Sequence, residues 1–189
     1  MTLRGRKMLK WTLWLILLLL LGGIQSSPAF PQIGGTRPML LMTAGICAVL
    51  LETGIEAACG YAILAGLLWD VVEGRLLGFY GLMMLLICAV AGWLVNNYLR
   101  VSMLNAVWMS GFGSVCCGLV CAEFYLFIWG YAQGAAMVVL AEIFWRGVYT
   151  TLAAPVIYWM MKKIQSVSMG TVQSSLRLRA FRMRTERKE

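Results

Sequence analysis

The sequence contains no histidine. Imidazole is the side chain that titrates near neutrality, so its absence excludes His-based triads and His-bearing metalloprotease motifs. Charge is scarce too: 13% of residues are Asp, Glu, Lys or Arg, against about 25% in a typical soluble domain. Neither a phosphate-binding Gly-Lys-Ser/Thr loop nor a dinucleotide-binding glycine fingerprint is present. These absences argue against a soluble enzyme.

What the chain has in quantity is apolar surface. Hydrophobic residues make up 61% of its 189 positions, and its mean hydropathy is +0.79. A bilayer core about 30 Å thick takes roughly 20 apolar residues per helix, so the chain has room for about six crossings in one domain. Eight Trp and seven Tyr suit interfacial belts, where one edge of the ring stays wet. Six cysteines, Cys47, Cys59, Cys88, Cys116, Cys117 and Cys121, all lie in apolar runs. They read as small packing residues and not as a disulfide framework or metal site, because Cys116-Cys117-x3-Cys121 lacks zinc spacing and has no nearby harder ligand. No metal and no cofactor is expected.

The net charge of +8 sits at the two ends. Arg4, Arg6, Lys7 and Lys10 open the chain; Lys162, Lys163, Arg177, Arg179, Arg182, Arg184, Arg187 and Lys188 close it; the stretch between is slightly acidic. By the positive-inside rule both termini are cytoplasmic, which requires an even number of spans. The expected organisation is a basic cytoplasmic N-terminus (1–10), a six-helix transmembrane domain (11–163) and a basic cytoplasmic tail (164–189).

The apolar runs predict helix one over Trp11–Ile24, helix two from Pro38 to about Leu51, and helix three over Gly54–Val72. Helix four follows over Leu76–Val95, helix five over Met103–Cys121, with an extension through Phe124–Trp129 as an option, and helix six over Ala135–Met161. The stretch Pro28, Pro31, Gly34, Gly35 and Pro38 reads as an exterior loop. Helix one, with its basic flank and Ser27-Pro28-Ala29, also resembles a signal peptide, whose removal would leave five spans. The even count and the five comparable segments that follow favour an uncleaved anchor.

Helix three carries the clearest pattern. Gly54, Ala58, Ala62 and Gly66 recur every fourth residue, and Asp70, Gly74 and Gly78 continue the step. Residues four apart share a helical face, and in lipid a small-residue groove permits the close approach that holds helices together. The plainer reading is packing within the bundle; the functional one is docking of a partner's membrane helix. Ser110, Ser114, Gly118 and Ala122 form a second such stripe. Asp70 is costly inside a membrane unless capped or paired, and Arg75 is within reach. Glu142 and Arg146, spaced i, i+4 on helix six, form an intramembrane ion pair, either a neutralised strut or a functional site. In the tail, Val172, Leu176, Ala180 and Met183 make a narrow apolar stripe suited to lying on anionic membrane lipid. No motif supports nucleic-acid binding.

The block Gly66-Leu67-Leu68-Trp69-Asp70, then Gly74-Arg75-Leu76-Leu77-Gly78, resembles the rod shape-determining protein MreD family. Arg37-Pro38 before helix two, the Ala154-Pro155 step and the basic Lys162-Lys163 end are similar to that family as well, so the likeness spans roughly residues 36–163. One departure is Met39, where the family often has Asp. The resemblance implies a bacterial inner-membrane component of the cell-elongation machinery, binding MreC through its membrane helix beside MreB and the peptidoglycan synthases. It implies a fold similar to the S components of energy-coupling-factor vitamin transporters, which supplies the rival function. It also implies packing and interface roles for Gly66, Asp70, Gly74 and Gly78.

Overall fold

The computed structural model describes residues 3–27, 36–52, 55–74, 78–98, 101–129 and 135–186, with side chains for 5, 7–27, 36–52, 56–74, 78–98, 101–124 and 137–168. The described residues form six helices: α1 (Leu3–Ser26), α2 (Leu40–Leu51), α3 (Ile55–Glu73), α4 (Phe79–Asn97), α5 (Met103–Trp129) and α6 (Ala135–Glu186). Each apolar run of the sequence becomes one helix, since lipid offers the backbone no hydrogen-bond partner and the helix satisfies its own amides.

Lys7–Ser26, Phe79–Asn97, Met103–Phe124 and Met137–Ser168 are long and apolar enough to cross a membrane by length and composition. α3 has 19 residues, a comparable length, and carries Glu56, Asp70 and Glu73. α2 differs from the expected span. It starts at Leu40, after Pro38, and its 12 residues cover only about 18 Å at 1.5 Å per residue. It is buried from Leu40 to Leu50 on every side, which makes it a core helix of the bundle and not a lipid-facing one.

A half-length helix sealed inside an apolar bundle must have its ends satisfied by neighbouring groups. At its start, the Met39 amide donates to Thr150 Oγ1 of α6 at 3.0 Å, and the Leu41 amide to Gln25 Oε1 of α1 at 3.2 Å. At its finish, Leu51 O accepts from Gln165 Nε2 of α6 at 2.9 Å. Next to that end, Lys10 of α1 forms an ion pair with Glu52. The Lys10 side chain is buried, with its ammonium 4.9 Å from the ring centres of both Trp11 and Trp14. Lys10, Glu52 and Gln165 therefore mark one end of the bundle, and Gln25, Arg37 and the α3–α4 turn the other.

α2 touches all five other helices, which surround it in the order α1, α3, α4, α5, α6. Contact within this ring is thinnest between α4 and α5. α5 takes the optional extension and reaches Trp129, whereas α6 runs past the expected end at Met161 to Glu186. The end of an apolar run marks where the chain meets water, not where a helix must stop. α6 accordingly passes Met161, Lys162 and Lys163 without a break.

Candidate functional site

The α3–α4 hairpin accounts for the block that carries the family resemblance. At Gly66 a Cβ would lie 2.5 Å from Gly81 Cα and 2.6 Å from Tyr80 O, so only glycine lets the two backbones meet. Gly74 (φ 63°) and Gly78 (φ 97°) both adopt left-handed conformations that a side chain disfavours, and they bracket the turn. Gly78 is also the N-cap position of α4 and has no side chain to cap with.

Asp70, buried on α3, supplies that cap across the turn. Its carboxylate accepts from the amides of Gly78 at 2.7 Å, Tyr80 at 3.0 Å and Gly81 at 3.4 Å. The carboxylate sits at the amide end of α4, where the orphan N–H groups of a helix start need an acceptor. Trp69 and Tyr80 stack over the joint, their ring centres 4.8 Å apart and 9° from parallel. Asp70 thus caps a neighbouring helix; Arg75, its other candidate partner, lies outside the described residues.

The remaining small residues of helix three also face inward. Ala58 and Ala62 are fully buried, and a side chain at Gly45 of α2 would sit against Ala62. This groove is occupied by α2 and α4 of the chain itself, because the same narrow surface is what allows three of its helices to approach. Gly54 lies outside the described residues. The second stripe is internal too: Ser110 and Ser114 are buried, and Gly118 fits against Ile143 of α6.

Glu142 Oε1 and Arg146 Nη2 are 2.9 Å apart on α6, with the two side chains 48% and 23% exposed. Both lie in the first three turns of the apolar stretch Met137–Ser168 of α6, with about half of the Glu142 side chain uncovered. One turn on, Thr150 donates its hydroxyl back to the Arg146 carbonyl at 2.7 Å, a bond internal to α6.

Two features escaped the sequence reading. One is the set of polar joints around α2, formed by Gln25, Thr150, Gln165 and the Lys10–Glu52 pair. Their signal was available in principle, for each is an isolated polar residue in or beside an apolar run. The other is a lateral opening between α4 and α5, a cavity of about 540 Å³. Ile46 of α2 forms its floor, Leu86 and Val90 of α4 one wall, and Trp108, Phe112 and Gly113 of α5 the other. None of its lining residues carries a charge or a hydroxyl. Among the described residues there is no group of three or more Cys, Asp or Glu side chains that could hold a metal ion.

These features define a polytopic helical membrane protein whose buried polar side chains join its own helices. The family model of the rod shape-determining protein MreD matches residues 5–167, and the chain belongs to that family. Neither the curated proteins nor the solved structures gave a match.

Proposed function

We propose that this chain is a non-catalytic inner-membrane component of the bacterial cell-elongation machinery, binding MreC and supporting lateral peptidoglycan synthesis alongside MreB and the peptidoglycan synthases. Membership of the MreD family sets the context. The observation that carries the non-catalytic reading is the state of Asp70. Asp70 is buried and both its carboxylate oxygens accept backbone amides at a helix start, an arrangement that builds a joint between α3 and α4. The orientation belongs to the same proposal: Lys10, Lys162 and Lys163 share one end, which the positive-inside rule assigns to the cytoplasm.

The test is depletion in the native rod-shaped cell, paired with purification of the full-length chain from detergent. Rounding of the cells and recovery of MreC with the chain are the expected results. Normal shape with a vitamin-uptake defect, and a tightly held vitamin in the purified protein, would overturn this reading in favour of a transporter S component.

A further inference from the structure

The helices of the bundle are not fastened alike. α2 is joined to α1 and to α6 at both of its ends, through Gln25 and Lys10 of the one and Thr150 and Gln165 of the other. α3 is tied to α1 by the Tyr61 hydroxyl, which donates to Trp14 O at 2.9 Å, and to α4 by Asp70. α4 is held at one end only. Its polar contacts lie in the first turn, where the amides of Gly78, Tyr80 and Gly81 meet Asp70. From Leu82 to Asn97 the described residues make no side-chain hydrogen bond or ion pair with another helix. The junction with α5 follows the same gradient. The Phe79 and Phe124 rings touch at the turn end, 4.8 Å between centres, and from Met83 to Leu94 the two helices part around the cavity. We infer that α4 is a hinged wall, pivoting on its first turn so that its far length rocks between α3, where it rests in this structure, and α5, where it closes the lateral opening.

Each part of the motion has a physical basis. At the pivot, Gly66 and Gly81 meet as bare backbones, without the side-chain ridges that fix a crossing angle. Gly74 and Gly78 bracket the turn beside it, and hinges are commonly built from such element-terminal residues. At the far end, Trp93 and Tyr98 pack on each other, 5.6 Å between ring centres, and are exposed. Aromatics of that kind hold a helix at the membrane interface, where it remains free to move sideways. Between the two ends the walls of the opening carry no charge or hydroxyl, so closing it strands no polar group. Lipid supplies no hydrophobic force to favour either neighbour, and contact with α3 is exchanged for contact with α5. Two such arrangements lie close in free energy, and both are populated. Trp93 stands about 18 Å beyond Gly81 along the helix axis, so a swing of about 15° carries it about 5 Å, half a helix diameter. A hinged α4 does not depend on the function proposed above.

The test is pulsed electron paramagnetic resonance on the full-length chain in nanodiscs of phosphatidylethanolamine and phosphatidylglycerol. Nitroxides are carried on p-acetylphenylalanine, which leaves the native cysteines in place. One pair replaces Trp93 and Trp108, across the far part of the opening; the other replaces Leu82 and Leu119, beside the pivot. All four side chains are exposed, so the labels displace no core residue. The far pair is expected to give two distance populations about 5 Å apart, and the near pair one narrow population. A single far-pair population as narrow as the near one would mean a fixed α4 and overturn the hinge. Equal breadth at both pairs would mean a helix loose along its whole length, which overturns it as well. As a second arm, Val90→Trp puts bulk on an exposed rim position of the opening. It should abolish the shorter far-pair distance and leave the near pair unchanged. Persistence of the shorter distance in that variant, with elution profile and Tm unaltered, would count against closure onto α5.

Discussion

Helix α4 meets α3 on one flank and α5 on the other, and the two junctions are built from different side chains. On the α3 side Gly66 faces Gly81, and the backbones come as close as two glycines permit. On the α5 side Leu86, Ile87 and Val90 confront Trp108, Met109 and Phe112 across a cavity. Both flanks are apolar, and hydropathy does not tell them apart. With lipid as solvent there is no hydrophobic force drawing helices together, so the size of the facing side chains decides which flank closes. The closed flank is also the one with a polar fastening, the Asp70 carboxylate on the α4 amides.

Substitutions can break this contrast, and the strongest should be at the closed flank. Gly66→Ala places a methyl against backbone atoms that have no rotamer to escape through, and should cost about 3–4 kcal/mol. The check is thermal unfolding in detergent, where a Tm within a degree of the parent would contradict the close approach. Next comes Asp70→Ala, which strands amides at the start of α4 and should cost about 2–3 kcal/mol. Asp70→Asn keeps one acceptor oxygen and is expected to fall between that variant and the parent in the same assay.

A smaller effect belongs away from both flanks. Lys10→Met leaves Glu52 without its partner in a partly covered site and should cost about 2 kcal/mol, recovered in large part by the double variant with Glu52→Leu. A double-mutant cycle in detergent measures it, and additive losses would mean that the pair does not couple. The smallest effect is expected at the open flank. A methyl at Gly113 would meet only side-chain ends, Met42 Cε at 2.7 Å and Ile46 Cδ1 and Ile87 Cγ2 at 3.2 Å, which can shift where backbone cannot, so Gly113→Ala should cost about 1 kcal/mol. Equal Tm losses for Gly66→Ala and Gly113→Ala would erase the distinction between the flanks.

The sequence displayed some of these features and hid others according to how far apart the interacting residues lie. The spacing of Ala58, Ala62, Gly66 and Asp70 is local to one helix, so the face was legible. What that face would meet was not, because Gly81 and Gly45 lie on other helices. Asp70 stood out as an expensive carboxylate, and capping was among its expected roles, yet its acceptors' donors lie eight to eleven residues onward. Lys10 looked like one more basic residue of a cytoplasmic end; its burial follows from Glu52, 42 residues away.

By itself the amino-acid sequence determined that this protein is a membrane-embedded helical bundle, where its apolar runs lie, and that a Gly–Asp block stands at the end of helix three. Those properties depend on transfer to lipid and on neighbours three or four residues apart, which any helix displays. Only the tertiary structure decided that α2 is enclosed, that its ends are tied by Gln25, Thr150 and Gln165, and that α4 opens toward α5. An apolar side chain is equally at home against lipid or another helix, so which one it faces is fixed by packing geometry.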